Sequence, residues 1–589
     1  MDIRQQLATS IQKSVKNLTG LELEPQVVVS SDLSKGDLSS NIAMVAFGKI
    51  KNNKPASPAG GSNLPTSLKL RWASKTPVQL AQEIVKNLEL ITNNSELFDR
   101  IEVAAPGFIN FWLSQAVIIK QIDQVLNNWQ YNRDQKGSVQ ILEFGDLNPF
   151  KEPHIGHLRN LALGESLARL LEFQGKKLIR ANYEGDVGMH VAKALWGLLQ
   201  NQKSKIKNQN LDEGVLEERI NLLAKSYAAG AKAFEEDEDA KAEIISINNK
   251  IYSNNAEIKE IWEKGRRWSL DYFEILYKRL GIRYEKYYFE SEVAPVGLKI
   301  VKDNVGKVFE KHDGALIFRG EKVGLHTRVF VTKENYATYE GKDLALAVTK
   351  NKDFPDIDQS IIMTANEQTE YFKVMFAALK LIDTKIAGKT SHLSFGFVNL
   401  KEGKMSSRTG NIVSAFWLLD ETKKRLKKGF KEVSEEVLEE LSVGSVKWAM
   451  LKFSRESNIA FSIEESVQIE GNSGPYMQYA YARTQSLLSK SPKTTFEANS
   501  VKNWEQEMLA LARVICQFET VTKDAANNFS PNILCNYLYD LAQNFNAFYE
   551  KEKVIGSEKE EEKLVVVNAV GVVLKKGLYL LGIDSPKKI

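Results

Sequence analysis

Two of the chain's six histidines stand within four residues of one another, in His154-Ile155-Gly156-His157. Neutral imidazoles set side by side can donate hydrogen bonds to phosphate oxygens as negative charge gathers on them in a transition state. The flanking sequence suits that task. Ile141-Leu142-Glu143-Phe144 reads as a short buried strand, and Gly145-Asp146-Leu147-Asn148-Pro149-Phe150 as the loop that leaves it. From about His157 to Glu172, the residues Leu158, Leu161, Leu163, Leu167, Leu170 and Leu171 recur at helical spacing. The histidines therefore fall where a strand feeds a helix N-terminus. Unpaired N–H groups and the helix dipole favour bound phosphate there, and Gly156 admits a ligand close to the backbone. The plainer reading is a histidine pair that only caps the helix. No cysteine or acidic partner stands nearby at metal-ligand spacing, so zinc is not expected.

A second segment able to handle phosphate lies far downstream, in Gly403-Lys404-Met405-Ser406-Ser407-Arg408-Thr409-Gly410-Asn411. Lys404 and Arg408 would neutralise triphosphate charge, while Met405, Ser406 and Ser407 would close around nucleotide between the hinges Gly403 and Gly410. Alone, a basic loop rich in Gly and Ser is more often solvated surface. Taken in order, the two segments resemble the HIGH and KMSKS motifs of class I aminoacyl-tRNA synthetases. Within that class, Gly474-Pro475-Tyr476-Met477-Gln478-Tyr479-Ala480-Tyr481-Ala482-Arg483 is similar to a segment of the arginyl-tRNA synthetase family. Gly36-Asp37-Leu38-Ser39-Ser40-Asn41, Ala105-Pro106-Gly107-Phe108-Ile109-Asn110-Phe111, Asn182-Tyr183-Glu184-Gly185-Asp186 and Gly577-Leu578-Tyr579-Leu580-Leu581-Gly582 match it too, in the family's order.

The resemblance implies a Rossmann-like α/β catalytic domain with an N-terminal α/β module and an all-α C-terminal anticodon-binding domain. It implies ATP-dependent attachment of L-arginine to its tRNA through an arginyl-adenylate, with tRNA needed even for the first step. Mg²⁺ would arrive with ATP, and no tightly bound metal or organic cofactor is expected. The expected partners are arginine, ATP and the tRNA for arginine, and the expected state is a monomer. Two other readings stay open: a non-catalytic tRNA-binding relative, and a small-molecule nucleotidyltransferase. The second would not need the N-terminal module or the long helical C-terminal region.

Arginine presents a planar guanidinium with five donors, so its pocket needs acceptors and best of all a carboxylate. The resemblance carries the arginine-binding role to Tyr339 and Asp343, four residues apart and so on one face of a helix turn. It extends the role to Asn148, Gln368 and Glu290, the last in loosely related flanks. Two positions depart from the pattern. Arg408 stands where most class I enzymes carry lysine, and Lys151, three residues before His154, matches a lysine thought to supply the missing charge. Pyrophosphate stabilisation is accordingly assigned to Lys151, His154, His157, Lys404 and Arg408, with Gly156, Met405, Ser406 and Ser407 binding ATP. The other departure, Glu152, adds a negative charge near the triphosphate.

The elements that must position these residues need more than one domain, and 589 residues fit three. Residues 1–135 read as an α/β module, with helices near 2–18 and 76–90 and strands near 100–113. The stretch Lys51 to Lys75, with Pro55, Pro58 and Pro65, reads as an exposed insertion. In the family this module contacts the tRNA elbow, and Phe108 and Asn110 match as stacking ring and polar reader; Phe108 as a core ring is the alternative. Residues 136–415 form the catalytic domain, interrupted by a helical insertion at about 195–300. Ala315–Phe318, Arg328–Val331 and Ser360–Met363 mark the return to sheet. From 416 to 589 the chain reads helical throughout, with a basic patch at Lys423-Lys424-Arg425-Leu426-Lys427-Lys428. A net charge of +4 does not by itself imply nucleic acid. Two cysteines, no apolar leader and no long uncharged run point to a cytoplasmic protein without a membrane span.

Overall fold

The computed structural model describes residues 3–30, 33–52, 74–91, 96–127, 138–204, 215–401, 413–493, 495–498, 501 and 504–589. The segment 402–412, which holds Lys404, Met405, Ser406, Ser407 and Arg408, lies outside the described residues, as does most of the stretch from Lys51 to Lys75. One compact unit comprises residues 1–129, 484–521 and 543–573; another comprises 130–483, 522–542 and 574–589.

In the first unit, helix α1 (Ile3–Thr19) buries Leu7, Ile11 and Val15 at four-residue spacing, the apolar stripe of an amphipathic helix. Strands β1 (Val27–Val29), β2 (Leu38–Ser40), β3 (Phe98–Ala104) and β4 (Phe108–Leu113) form an antiparallel sheet in the order β1-β2-β4-β3. Helices α2 (Ile42–Asn52), α3 (Pro77–Ile91) and α4 (Gln115–Leu126) complete the N-terminal part. Asp37 accepts from the Leu113 N–H at 2.7 Å and pairs with Arg513, so residues far apart in sequence share this unit.

The second unit is built on a five-stranded parallel sheet. Its strands are β5 (Val139–Glu143), β6 (Lys177–Glu184), β7 (Lys286–Phe289), β11 (Ile357–Ala365) and β12 (Thr390–Phe395), in the order β12-β11-β5-β6-β7. Helices cover both faces, so its central strands are apolar on both sides: Ile141, Ile179, Ala181 and Ile357 are buried together with Val293, Ala345 and Leu346. The strand order reverses between β11 and β5, which opens a crevice beyond their carboxyl ends. The α-helices of this unit as far as residue 382 are α5 (Ile155–Phe173), α6 (Met189–Ser204), α7 (Leu216–Glu236), α8 (Glu238–Tyr252), α9 (Ala256–Arg279), α10 (Glu290–Asp303), α11 (Tyr339–Asp353) and α12 (Thr369–Ile382).

Two sequence expectations need correction. Strands β9 (Ala315–Phe318) and β10 (Arg328–Val331) do not return to the parallel sheet; with β8 (Glu310–His312) they make a separate antiparallel sheet. A short apolar run carries no mark of which sheet it joins. The parallel sheet instead resumes earlier, at β7. Nor is the chain helical throughout after 416. Helices α13 (Ala415–Gly429) and α14 (Glu435–Leu451) are followed by strand β14 (Ile459–Phe461), which pairs in parallel with β13 (Val398–Leu400). Three residues give no period to read, so the sequence hid it. Further helices follow: α15 (Gly474–Leu488), α16 (Gln506–Cys516), α17 (Phe518–Asn527), α18 (Pro531–Lys551) and α19 (Glu560–Leu580). No described helix is long and apolar enough to cross a membrane.

Candidate active site

Helix α5 begins with the two histidines locked to each other. His154 is its N-cap, in extended backbone, and its Nδ1 accepts from the Gly156 N–H at 3.1 Å. The His154 N–H in turn donates to Nδ1 of His157 at 3.1 Å, and the rings lie 3.8 Å apart. This is a capping box with imidazoles in both roles. It also fixes the tautomers: since each Nδ1 accepts, each neutral ring carries its proton on Nε2. Burial, first of all, lowers both histidine pKa values, with Lys151 adding repulsion; for His157 the fall is well below the ordinary range. Both rings are therefore neutral donors at pH 7. A Cβ at Gly156 would meet the His154 ring at 2.9 Å, so glycine is what lets that ring fold over the helix start.

The histidines line a cavity of about 440 Å³ at the switch point of the sheet. Gly145, Asp146 and Asn148 reach it from the loop after β5, Thr364, Glu367 and Gln368 from the end of β11, and Phe395 and Phe397 from the end of β12. The flanks of segment 402–412 also lie on its wall, through Asn399, Leu400 and Val413. Those flanks are pinned. Lys401 N–H bonds the Phe461 carbonyl at 2.7 Å; Ile155 N–H bonds the Val413 carbonyl, and Ala415 N–H the Pro153 carbonyl, both at 2.9 Å. Arg159, one turn into α5 from the histidines, is fully buried and donates to the carbonyls of Phe397, Ser454, Arg455 and Ser457. Among the described residues no acid balances it, and burial draws its pKa down to about 10.

Asp343, Glu290 and Asp186 form a cluster of mutually repelling carboxylates, and Asp343 also acts on Asp146 of the cavity loop. Asp343, one turn into α11, accepts from the Tyr371 hydroxyl. Burial lifts its pKa to about 7 against that hydrogen bond. Tyr339, the first residue of α11, is 64% exposed, so its ring is presented outward while Asp343 faces in. The Lys342 ammonium stands 4.5 Å from the centre of the Tyr339 ring and is bonded to Glu290 at 2.5 Å. That buried ion pair occupies one oxygen of the carboxylate expected to bind arginine. Asn148 and Glu290 both approach Gly185, where an added Cβ would meet Asn148 Oδ1 at 2.5 Å and the Glu290 carboxyl carbon at 3.5 Å. Next door, Asp186 accepts from the Ser291 N–H and hydroxyl at 2.8 and 2.7 Å, fixing the start of α10.

The structure thus brings His154, His157, Gly156, Asn148 and Gln368 to one cavity; Tyr339, Asp343 and Glu290 do not line it, and Tyr339 is exposed. Lys151 stands exposed near the histidines, its ammonium 5.4 Å from the centre of the Tyr227 ring, and Glu152 is exposed. Phe108 is 39% exposed rather than core, whereas Asn110 is buried and accepts from the Ser39 hydroxyl at 2.8 Å. The basic patch is offset. Lys423 and Lys427 pair with Glu435, Lys423 also with Glu439, and Lys424 and Arg425 with Glu421. Three further residues of the region, Asp146, Tyr371 and Lys342, were not predicted; Asp146 lies in the loop before the histidines, Lys342 between Tyr339 and Asp343, and Tyr371 three residues after Gln368. Their signal was position at a strand or helix end, which becomes visible only once the sheet order is known.

Comparison with known proteins bears on the whole chain. Residues 121–463 match the family model described as class I tRNA synthetases (R), catalytic domain. Residues 5–113 match the arginyl tRNA synthetase N terminal domain, and 477–589 the DALR anticodon binding domain. The chain is 30% identical to an arginine–tRNA ligase of Bdellovibrio bacteriovorus, over 83% of this chain and 86% of that one. It is 28% identical to one of Flavobacterium psychrophilum, over the full length of both. In fold it resembles the Thermus thermophilus arginyl-tRNA synthetase, with TM-score 0.78 and 23% identity over 100% of both chains. The Plasmodium falciparum arginyl-tRNA synthetase gives 0.79 and 22%, over 100% of this chain and 99% of that one.

Proposed function

The chain belongs to the arginyl-tRNA synthetase family, and from that premise we propose how its residues divide the work of arginine–tRNA ligation. The activity is ATP-dependent attachment of L-arginine to its tRNA, with AMP and pyrophosphate as the other products. The arginine carboxylate attacks the α-phosphorus of ATP, pyrophosphate leaves, and the terminal ribose hydroxyl of tRNA then attacks the adenylate carbonyl. The first step needs positioning and charge stabilisation rather than a protein nucleophile. ATP brings its Mg²⁺ as part of the substrate.

The observation that carries the assignment is the reciprocal histidine cap: two neutral imidazoles with Nε2–H donors, on the wall of a cavity at the switch point. His154 and His157 are assigned to the phosphates, with Lys151, Lys404 and Arg408 supplying positive charge. Gly156, Met405, Ser406 and Ser407 are assigned to ATP. Asp343 and Tyr339 are assigned to the guanidinium, and Asn148, Gln368 and Glu290 to the rest of the amino acid. Phe108 and Asn110 remain assigned to tRNA, with residues 1–135, 136–415 and 416–589 as elbow-binding, catalytic and anticodon-binding segments. The protein acts as a monomer in the cytoplasm. The test is arginine-dependent ATP–pyrophosphate exchange in the presence of tRNA. His157→Ala should lower kcat with little change in either KM, because its bond strengthens in the transition state. A defect confined to KM would contradict that role.

A further inference from the structure

The loop after β5 carries one group that this division of labour leaves unused. Asp146, held in left-handed backbone at φ 49°, lines the histidine cavity. Its Oδ1 is buried and has no hydrogen-bond partner. Its own N–H is fixed by Asn182 Oδ1 at 3.2 Å, so the loop holds the carboxylate in place. Burial lifts its pKa to about 8, the Asp343 charge adds to the rise, and a side-chain hydrogen bond from Asn160 of α5 to the carboxylate opposes it. The groups facing the two carboxylates are Asn160 on α5, Tyr183 on β6, Tyr284 in the loop before β7, Glu290 on α10, Tyr339, Glu340 and Lys342 on α11, and Tyr371 on α12. The sole cation among them, Lys342, is bonded to Glu290. Among the described residues, nothing cationic pairs with Asp146.

A buried carboxylate with an orphaned oxygen is costly unless it is protonated or a cation reaches it. Asp343 is bonded by the Tyr371 hydroxyl and, among the described residues, by no cation, and the substrate assigned above has two cations. Their order follows from the reaction. The amino-acid carboxylate must lie against the α-phosphate near the histidines, and the α-ammonium sits on the adjoining carbon. Asp146 shares the histidine cavity; Asp343 does not line it, and stands on α11 with Tyr339, bonded by the hydroxyl of Tyr371 on α12. We propose that Asp146 binds the α-ammonium of arginine, acting as a second anionic specificity residue beside Asp343, and that arginine binding expels to solvent a proton held by the two carboxylates. This rests on the arginine reading of the pocket.

The test is calorimetric titration of the full-length protein near neutral pH, in two buffers of different ionisation heat. The ligands are arginine and 5-guanidinopentanoate, which lacks the α-amino group. Wild type should release about one proton on binding arginine and distinctly less with the analogue. It should also prefer arginine by roughly tenfold or more, the scale of a charge-assisted contact. Asp146→Asn should shrink that preference to about twofold and flatten the pH dependence of arginine affinity. An unchanged preference in Asp146→Asn overturns the assignment while leaving the substrate reading intact. If arginine fails to bind wild type while another amino acid binds, both fall together. Thermal melting checks that Asp146→Asn folds; if it does not, the wild-type comparison decides, and equal proton release with both ligands contradicts the proposal.

Discussion

At the scale of residues, the site's chemistry is set by burial acting on charge. The histidines are kept neutral and their protons held on Nε2, while Asp343 and Asp146 are pushed up into the physiological range. Asp343→Ala should raise the arginine KM on the order of a hundredfold, with a far smaller effect on the ATP KM, as expected when a buried charge loses its partner. Equal effects on both would detach Asp343 from the amino acid. Because the folded-state pKa values of both aspartates lie above unfolded carboxylate values, the native protein holds protons that the unfolded chain does not. Their contribution to stability is therefore present at low pH and lost as pH rises through about 7 to 8. The ligand-free Tm should fall over that interval, and the increment in Tm from saturating arginine should grow; a flat increment would deny the coupling. Much of this site was legible in the sequence, since His154, His157 and Tyr339 stand in motifs with spacing. Asp146 was not, because an aspartate in a loop reads as a turn former until one oxygen of its carboxylate is seen to be buried without a partner.

At the scale of elements, two buried cations fasten the site to its scaffold. Lys350, on the last turns of α11, pairs with Glu143 at the end of β5; both are essentially fully buried. The pair joins the helix that carries Asp343 to the strand that feeds the Asp146 loop. Lys350→Met should cost about 3–5 kcal/mol in denaturant unfolding, because it strands a buried carboxylate. A loss near zero would mean that Glu143 is protonated or hydrated. Arg159 fastens the other wall, tying α5 to Phe397 just before β13 and to the turn before β14. Arg159→Met should destabilise by about 3 kcal/mol or more, since several carbonyls lose a charged donor at once. It should also lower kcat for adenylate formation more than it raises either KM, since it loosens the flank of segment 402–412 and leaves the groups that hold the ligands in place. The helices here were legible from leucine periodicity. The pairing of β13 with β14, and the separate sheet of β8 to β10, were not, because strands of three or four residues carry neither period nor partner in their sequence.

At the scale of the whole molecule, the C-terminal region is not a detachable appendage. Residues 484–521 and 543–573 belong to the unit that contains the N-terminal sheet, whereas 522–542 and 574–589 belong to the catalytic one. Within the first, Arg513 pairs with Asp37. Within the second, the buried ammonium of Lys447 donates to the carbonyls of Leu280 and Gly582. A chain ending at residue 483 should therefore lose cooperative unfolding rather than yield a smaller active enzyme; a sharp melt of that fragment would contradict this. Linear reading divides a chain into consecutive stretches, so an organisation in which distant segments return to each unit was out of its reach. The identity of the substrate is the claim on which the rest depends. Its most direct measurement is to incubate the full-length protein with ATP, Mg²⁺ and unfractionated tRNA, offering each amino acid separately and counting acid-precipitable label. Label from arginine alone is the predicted result; label from another amino acid, or none from arginine, would contradict the account.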